Sequence, residues 1–495
     1  MSEPFRFGRL GRHGLIYGVG MMLNKVVAFI MLPVYTRFLL PSDYGLLQLV
    51  DMALEVLSIA AGSRLAAGIF HFYHKAESET EKRSVLSTAL LILSVGYVVV
   101  SATAYLAAPE VARVVLGDVQ HANLIRLATA RLAFESLIIV PMAYLQIRDR
   151  SVMYVGVAAV RMVLQLSLTI LFVVGMGLGA AGVLLSGFIG TVVVGVFLGV
   201  MFVRDVGVRP SRQAARDLVR FGLPFLATQV ATFIATFSDR YFLREAADTT
   251  AVGLYGLAYQ FGFLLTSLAY VPFNTVWEPM RFEIARQSDR DTIYARVFVY
   301  FNIILVSVAV GIALFVYDGL RIIADPAYLA AAGMVPIILV ASLLQGWTGF
   351  HNIGLFYRER SGLITWANWA AAAVAIAGYV VLIPRWFGYG AAVATVAAFA
   401  VREVMIYRFS QRLWPVRYAW TPVVKVVLAG ALAYLVHWLV PIPNLWLSLG
   451  FQGVLFGMYL LAIWYGGVLS EQDREALVTI VRSPRSGLAS MLRGD

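Results

Sequence analysis

Residues 179–203 read GAAGVLLSGFIGTVVVGVFLGVMFV, an apolar run without a single charged side chain. An α-helix needs about 20 such residues to cross the roughly 30 Å hydrocarbon core of a membrane, and this run is longer. Five arginines come directly after it, at positions 204, 209, 212, 216 and 220. Because basic residues collect on the cytoplasmic side of membrane proteins, the stretch predicts a spanning helix that ends in the cytoplasm.

Apolar segments of this kind recur about fourteen times along the 495 residues. A helix satisfies its own backbone hydrogen bonds inside hydrocarbon, so segments of this length predict helices. We therefore expect an all-α polytopic membrane protein with about 14 transmembrane helices. The other segments lie at 14–40, 44–72, 84–107, 120–147, 151–175, 216–244, 250–280, 293–317, 327–357, 361–384, 387–408, 419–440 and 446–468.

Composition excludes several classes of protein. The chain is 60% hydrophobic and 14% charged, whereas soluble proteins are about a quarter charged. It contains no cysteine, which excludes disulfides, thiolate metal sites and cysteine nucleophiles. The net charge of +11 lies in short loops that cannot form a nucleic-acid-binding domain, so we expect it to contact anionic lipid headgroups.

Basic residues alternate from loop to loop. The two tails and the loops after the even-numbered helices carry 26 Lys and Arg residues, and the loops between carry four, Arg113, Arg244, Arg321 and Arg385. The positive-inside rule then places both termini in the cytoplasm and makes the number of crossings even. We expect a multi-pass protein of the inner (cytoplasmic) membrane.

The chain also repeats itself weakly. Four short matches occur in the same order at offsets of 203 to 211 residues: 12–15 (RHGL) with 220–223 (RFGL), 36–38 (TRF) with 239–241 (DRY), 44–46 (YGL) with 255–257 (YGL), and 148–151 (RDRS) with 358–361 (RERS). The alternative is that basic helix ends look alike in any polytopic protein.

Six helices separate matching positions, so the two halves enter the membrane in the same direction. This predicts two six-helix lobes about a pseudo-twofold axis along the membrane normal, an arrangement found in secondary transporters. The expected division is an N-lobe at 1–205 (helices 1–6), a C-lobe at 206–415 (helices 7–12), helices 13 and 14 at 416–470, and a cytoplasmic tail at 471–495.

Charged residues inside the predicted helices indicate a cavity. Each costs about 2.5–3.5 kcal/mol at a helix centre, so such residues normally face water or a partner. Six acids accompany nine basic residues there, and the surplus of cations predicts an anion site, for which the planar arginine fork suits phosphate. Candidate substrate-binding residues are Lys25, Arg37, Arg64, Arg126, Arg131, Arg161 and Arg240; candidate ion-coupling residues are Asp51, Glu55, Asp239 and Glu278.

Purely structural alternatives remain for part of this set. Arg131 and Glu135 are four residues apart and could form an ion pair on one helix face, and Asp239 could pair with Arg240. Polar stripes at helical spacing, such as Gln48, Asp51, Glu55 and Ser58 on helix 2 or Arg161, Gln165 and Thr169 on helix 5, each share one face. Their hydroxyls and amides could simply join helices by hydrogen bonds.

Two segments carry a family resemblance. Residues 32–39 (LPVYTRFL) with 41–45 (PSDYG), and residues 238–243 (SDRYFL) with 252–259 (VGLYGLAY), resemble polysaccharide-biosynthesis flippases of the multidrug/oligosaccharidyl-lipid/polysaccharide exporter superfamily. The resemblance implies alternating access that moves an undecaprenyl-pyrophosphate-linked oligosaccharide to the outer leaflet. It also implies H⁺ or Na⁺ coupling and no cofactor, with a polysaccharide polymerase as a possible partner. Arg37 and Arg240 occupy the positions of the family's motif arginines.

Three alternative functions follow from the same sequence. A cation-coupled multidrug exporter of this fold would need a net acidic cavity, and a peptidoglycan lipid-precursor flippase would share the cargo chemistry. A membrane glycosyltransferase, polymerase or ligase needs a sizeable extracytoplasmic loop, which the chain lacks, and no metal-ligand or nucleophile spacing stands out. We therefore expect a transporter and not an enzyme.

Overall fold

The computed structural model describes residues 31–471 together with Arg474 and Glu475. This part is helical and contains no strand. Its α-helices are α1 (Leu32–Phe38), α2 (Pro41–Ala60), α3 (Ala67–Lys75), α4 (Glu79–Leu106), α5 (Ala108–Leu116), α6 (Ala122–Leu132), α7 (Ser136–Ile147), α8 (Ser151–Thr169), α9 (Gly179–Val206), α10 (Arg212–Phe237), α11 (Asp239–Ala246), α12 (Thr249–Leu265), α13 (Val271–Ile284), α14 (Arg290–Ile323), α15 (Val335–His351), α16 (Ile353–Tyr357), α17 (Gly362–Leu413), α18 (Trp420–Leu439) and α19 (Leu445–Tyr465).

The length and apolarity of these helices confirm a polytopic membrane protein. Ten helices in the described part could cross a membrane, or eleven if one bent pair forms a single span. The number fourteen stays a prediction, because most of segment 14–40 lies outside the described residues. The same is true of Lys25 and of most of the tail at 471–495.

Two of the predicted helices are interrupted in the described structure. The second bends by 61° between α2 and the segment Ser63–Lys75, at Gly62, whose φ of +89° lies in the left-handed region that glycine adopts most readily. The fourth is divided into α6 and α7 by the turn at residues 133–135. No glycine or proline stands at that second break.

The 52-residue helix α17 is a hairpin of two antiparallel helices. Phe387, with φ of +46°, interrupts its helical backbone. The hydroxyls of Tyr379 and Thr395 are 3.3 Å apart, although residues this distant in one straight helix would be about 24 Å apart. The predicted segments 361–384 and 387–408 therefore run side by side.

Loops predicted to share a membrane side do meet in space. Arg148 forms an ion pair with Glu79 across 3.1 Å, and Arg150 forms one with Asp205 across 2.7 Å. These pairs join the loops at 76–78, 148–150 and 207–211, which we term the basic-rich end of the bundle.

The opposite, basic-poor end holds the loops at 39–40, 117–121, 247–248 and 324–325. Arg321 donates across this end to the carbonyl of Pro443, 3.2 Å away. The alternation of basic and non-basic loops along the sequence therefore assigns these loops to two opposite ends of the bundle. Which end faces the cytoplasm stays a prediction.

The RDRS and RERS segments form the same turn. Asp149 and Glu359 both have φ of +54°. The amide of Arg150 donates to Leu145 across 2.9 Å, and the amide of Arg360 donates to Leu355 across 2.8 Å, the six-residue closure of a Schellman motif. This pair of turns supports the internal duplication.

The helices α2 and α12 touch backbone to backbone in a reciprocal way. A side chain at Gly45 would overlap the carbonyl oxygen of Thr249, and one at Gly253 would overlap that of Pro41. Both carbonyls belong to the first residue of their helix, and each glycine lies four residues later. The offset is 208 residues in both cases, as expected at a pseudo-twofold axis.

We expect the substitution Gly45→Ala to destabilise this contact, because its methyl group would overlap a backbone oxygen that cannot rotate away. Overpacking of this kind costs about 1–3 kcal/mol. The matched control is Gly190→Ala in α9, where an added methyl group meets no atom within 4 Å. Thermal unfolding of the purified variants should show a lower midpoint for Gly45→Ala only, and equal midpoints would contradict the close approach.

Helix α19 is attached to the bundle by a buried carboxylate on α14. One oxygen of Asp318 accepts from the hydroxyl of Ser448 and from the amide of Gln452, 2.6 Å away. The other accepts from Arg321 across 2.9 Å. The last two predicted segments thus pack on the C-terminal half, while the lobe boundaries at 205, 415 and 470 stay predictions.

Candidate functional site

Two adjoining cavities lie among helices of both halves of the chain. One has a volume of about 230 Å³ and the other of about 360 Å³. Asp51 and Arg131 contribute to the walls of both, so the two spaces form one polar region. Gln260 of α12 and Phe237 of α10 reach the walls from the C-terminal half.

The polar stripe of α2 faces this region, as its spacing predicts. Asp51 lies in the wall, and Glu55 accepts a hydrogen bond from Gln229 of α10 across 3.0 Å. Ser58 lies 2.9 Å from the hydroxyl of Tyr97. Two of these polar groups therefore join helices by hydrogen bonds, while the carboxylate of Asp51 lines the open space.

The turn between α6 and α7 has a residue of opposite charge on either side of Phe134. Arg131 lies in the last turn of α6, and Glu135 stands at the N-cap of α7. Hydrogen bonds between residues three apart continue the helical path through the turn, from the amide of Phe134 to Arg131 and from that of Glu135 to Leu132, 3.1 Å each. Such a tight turn places side chains four residues apart on different faces.

The break also separates the two residues that sequence spacing suggested as an ion pair. Because the helix is interrupted between them, Arg131 and Glu135 do not pair; Glu135 instead lies 3.9 Å from the guanidinium of Arg161 on α8. Arg131 forms no ion pair with any carboxylate in the described part of the chain. A methyl group at Gly187 of α9 would come within 3.2 Å of its guanidinium, so this glycine leaves it room.

The charge of the cavity wall differs from the expected surplus of cations. Among the described residues, two cations, Arg131 and Arg161, share the wall with three carboxylates, Asp51, Glu55 and Glu135. The described part of the wall lacks the predicted excess because most of the other predicted cations within that part of the chain lie elsewhere. Lys25 lies outside the described residues.

Asp239 and Arg240 form a buried pair with each other. Their side chains are 0% and 2% exposed, and the ion pair measures 2.8 Å. Asp239 also accepts from the hydroxyl of Tyr255 across 2.6 Å, and Arg240 donates to the carbonyl of Thr236 across 3.0 Å. Neither residue lines the cavity, so a role in cargo binding or ion coupling stays a prediction.

The remaining predicted site residues lie apart from the cavity wall. Arg37 donates to main-chain carbonyls of α14, and Arg126 donates to Asn123 one turn earlier in its own helix, 3.0 Å away. Glu278 pairs with Arg281 at 2.5 Å, and Arg64 is exposed beside the bend of the second helix. The structure brings together Asp51, Glu55, Arg131 and Arg161 from the predicted set.

Comparison with known proteins identifies the family. The family model described as "Polysaccharide biosynthesis protein" matches residues 10–285, more than half of the chain. The chain belongs to this polysaccharide biosynthesis family. A comparison of the chain with curated proteins found no sequence match.

Solved structures share the fold of this family member. The lipid II flippase MurJ in an inward closed conformation has a TM-score of 0.74 at 11% identity, over 92% of this chain and 100% of that one. An inward-facing multidrug resistance MATE family transporter of the MOP superfamily has a TM-score of 0.61 at 16% identity, over 79% and 94%. A MATE in complex with MaD3S has a TM-score of 0.57 at 16% identity, over 82% of this chain and 95% of that one. These neighbours are transporters and flippases rather than enzymes.

Sequence reasoning missed several cavity residues of this family member. Tyr35, Tyr44 and Gln260 line the smaller cavity, and Glu135 lines the larger one. Gln260 carried a usable signal, because it is an isolated amide in the apolar run at 250–265. Tyr35 and Tyr44 stand in the two segments that carry the family resemblance, but aromatic residues are common throughout membrane helices, so nothing in the sequence assigned them to a cavity.

Proposed function

We propose that the chain moves an undecaprenyl-pyrophosphate-linked oligosaccharide across the inner membrane by alternating access, for surface polysaccharide biosynthesis. The observation that carries the proposal is an unpaired arginine, Arg131, at a helix break in a polar cavity of a polysaccharide biosynthesis family member. An anionic headgroup could bind there while its lipid chain remains in the bilayer.

The two guanidinium groups suit the pyrophosphate. Arg131 is free of carboxylate partners in the described structure, and the 3.9 Å contact of Arg161 with Glu135 is long enough to exchange for phosphate oxygens. Charge-assisted hydrogen bonds of this kind contribute about 1.5–3 kcal/mol each. Arg131 and Arg161 are therefore our leading ligands, with Lys25 and Arg64 as further members of the proposed set.

The carboxylates provide the proposed coupling. Asp51 and Glu55 lie on one face of α2 beside the arginines and are the proposed binding sites for H⁺ or Na⁺. The basic-rich end would face the cytoplasm with both termini, and a polysaccharide polymerase would use the product.

The acidic excess in the described wall favours one alternative, a cation-coupled multidrug exporter. Its cationic substrates would bind Asp51, Glu55 and Glu135. A peptidoglycan lipid-precursor flippase is the other alternative, since its cargo carries the same pyrophosphate. The polysaccharide flippase, the multidrug exporter and the peptidoglycan-precursor flippase differ in the cargo that they would move.

A deletion strain tests the proposal. We expect loss of the surface polysaccharide and accumulation of its lipid-linked precursor in the inner leaflet, with unchanged drug susceptibility and cell-wall synthesis. Restoration by the wild-type gene is the control. Normal surface polysaccharide together with increased drug susceptibility would contradict the proposal and favour the exporter.

A further inference from the structure

Arg37 of α1 contacts the opposite half of the chain at the basic-poor end. Its Nη2 donates to the carbonyl of Ile322 across 2.8 Å, and its Nε donates to that of Ile323 across 3.1 Å. These are the last two residues of α14. The last four carbonyls of a helix have no partner within it, and the negative end of the helix dipole attracts a cation.

Arg244 of α11 makes the corresponding contact in the opposite direction. Its Nη2 donates to the carbonyl of Val114 across 3.0 Å, and its Nη1 lies 3.5 Å from that of Arg113. Both acceptors lie in the last four residues of α5. Arg244 also contacts its neighbour Glu245, and it lies against Gly117, where an added methyl group would be 2.8 Å from Nη1.

The two contacts are related by the internal duplication. Val114 and Ile322 are 208 residues apart, the offset that also relates Gly45 to Gly253, and Arg37 and Arg244 are 207 apart. Each arginine lies in the last turn of its helix, since α1 ends at Phe38 and α11 at Ala246. The structural counterpart of Arg37 is thus Arg244 rather than Arg240, which the motif comparison had paired with it.

We propose that Arg37 and Arg244 are a pair of latches that hold the two lobes together at the basic-poor end and release when that end opens. The inference rests on the alternating access of the proposed function. Neither arginine lines the cavity, and both bind main-chain carbonyls across the two halves. Two further contacts close the same end, from Tyr328 to the carbonyl of Leu39 across 3.1 Å and from the amide of Asp325 to Thr36 across 3.0 Å.

Distance measurement between spin labels tests the latches without any substrate. The chain has no cysteine, so Gln120→Cys and Trp386→Cys place one label on each half at the basic-poor end. In the double variant Arg37→Gln/Arg244→Gln, we expect a population with longer distances. Loss of hydrogen bonds to charged groups should raise the open fraction at least about tenfold. An unchanged distance distribution would overturn the proposal.

The matched control is Arg113→Gln. This arginine lies at the same end, but its side chain pairs at 2.9 Å with Glu110 of its own helix, and both side chains are more than half exposed. For the Arg113→Gln variant, we expect the spin-label distances to have the same distribution as in the wild type. A shift as large as that of the double variant would show that loss of any positive charge at this end opens it.

Gly117→Ala is an independent variant that disturbs the Arg244 contact without replacing Arg244 itself. Its methyl group would displace the Arg244 guanidinium, and the φ of +86° at this position disfavours any side chain. We expect a shift toward longer distances that is smaller than that of the double variant. A larger shift would show that backbone strain at position 117, rather than loss of the Arg244 contact, opens this end. If the latches open in these variants but the deletion strain keeps its surface polysaccharide, the proposed function fails and the latches stand.

Discussion

Replacing Arg131 by alanine is expected to abolish export of the lipid-linked glycan while the protein still inserts in normal amounts. The guanidinium lies at the end of α6, lines both cavities and has no carboxylate partner in the described structure, so its removal breaks no ion pair. Loss of charge-assisted hydrogen bonds worth about 1.5–3 kcal/mol each should lower transport at least about tenfold. Surface polysaccharide in a complemented deletion strain gives the measurement.

Arg126→Ala is the control within the same helix. Its side chain donates to Asn123 and faces no cavity, so export should stay near the wild-type level. Arg161→Ala should resemble Arg131→Ala, although loss of Arg161 also leaves Glu135 without its partner. Full complementation by both the Arg131→Ala and the Arg161→Ala variants would refute the assignment of the cargo site.

The largest effect on stability is expected at the buried pair of Asp239 and Arg240. Removal of one partner from a buried ion pair costs about 3–5 kcal/mol, because the other charge remains in a low-dielectric interior. Arg240→Gln and Asp239→Ala should therefore lower the midpoint of thermal unfolding markedly. The control is Glu110→Ala, whose exposed pair with Arg113 should contribute about 0–1 kcal/mol.

The same variants separate a structural role from cargo binding. We expect the double variant Asp239→Asn/Arg240→Gln to be less destabilised than the sum of the two single variants, since neither charge is left alone. A normal unfolding midpoint for Arg240→Gln combined with lost export would show instead that Arg240 binds cargo. That result would agree with its position in the family motif.

The helices themselves were predictable because their signal is local. Apolar length and the alternation of basic loops located nearly every described segment, including 361–384 and 387–408, which the structure joins into one hairpin. The bend at Gly62 was predictable in principle, since glycine tolerates the left-handed backbone there. The break after Leu132 was not, because residues 133–135 (AFE) carry no helix-breaking signal.

Partners of charged residues could not be read from spacing alone. Arg131 and Glu135 have the ideal separation for an ion pair on a continuous helix, but the tight turn between them changes their relative orientation, and Glu135 lies beside Arg161 instead. The count of cations likewise ignored that Arg37 binds main-chain carbonyls of α14 through a tertiary contact. By contrast, the pair of Arg240 with the adjacent Asp239 was one of the alternatives that the sequence offered. Spacing identified the face of α2 that carries Asp51 and Glu55, but only the packing of α6 and α8 against it shows how the charges balance.

Photo-crosslinking from the cavity wall tests the central claim directly. A photoreactive amino acid at Gln165 of α8 would lie in the smaller cavity, whereas one at Val163 of the same helix would lie on an exposed face. Irradiation of cells that produce the lipid-linked glycan should attach glycan to the protein at position 165 and not at 163. Equal attachment at both positions, or none at position 165, would contradict transport through this cavity.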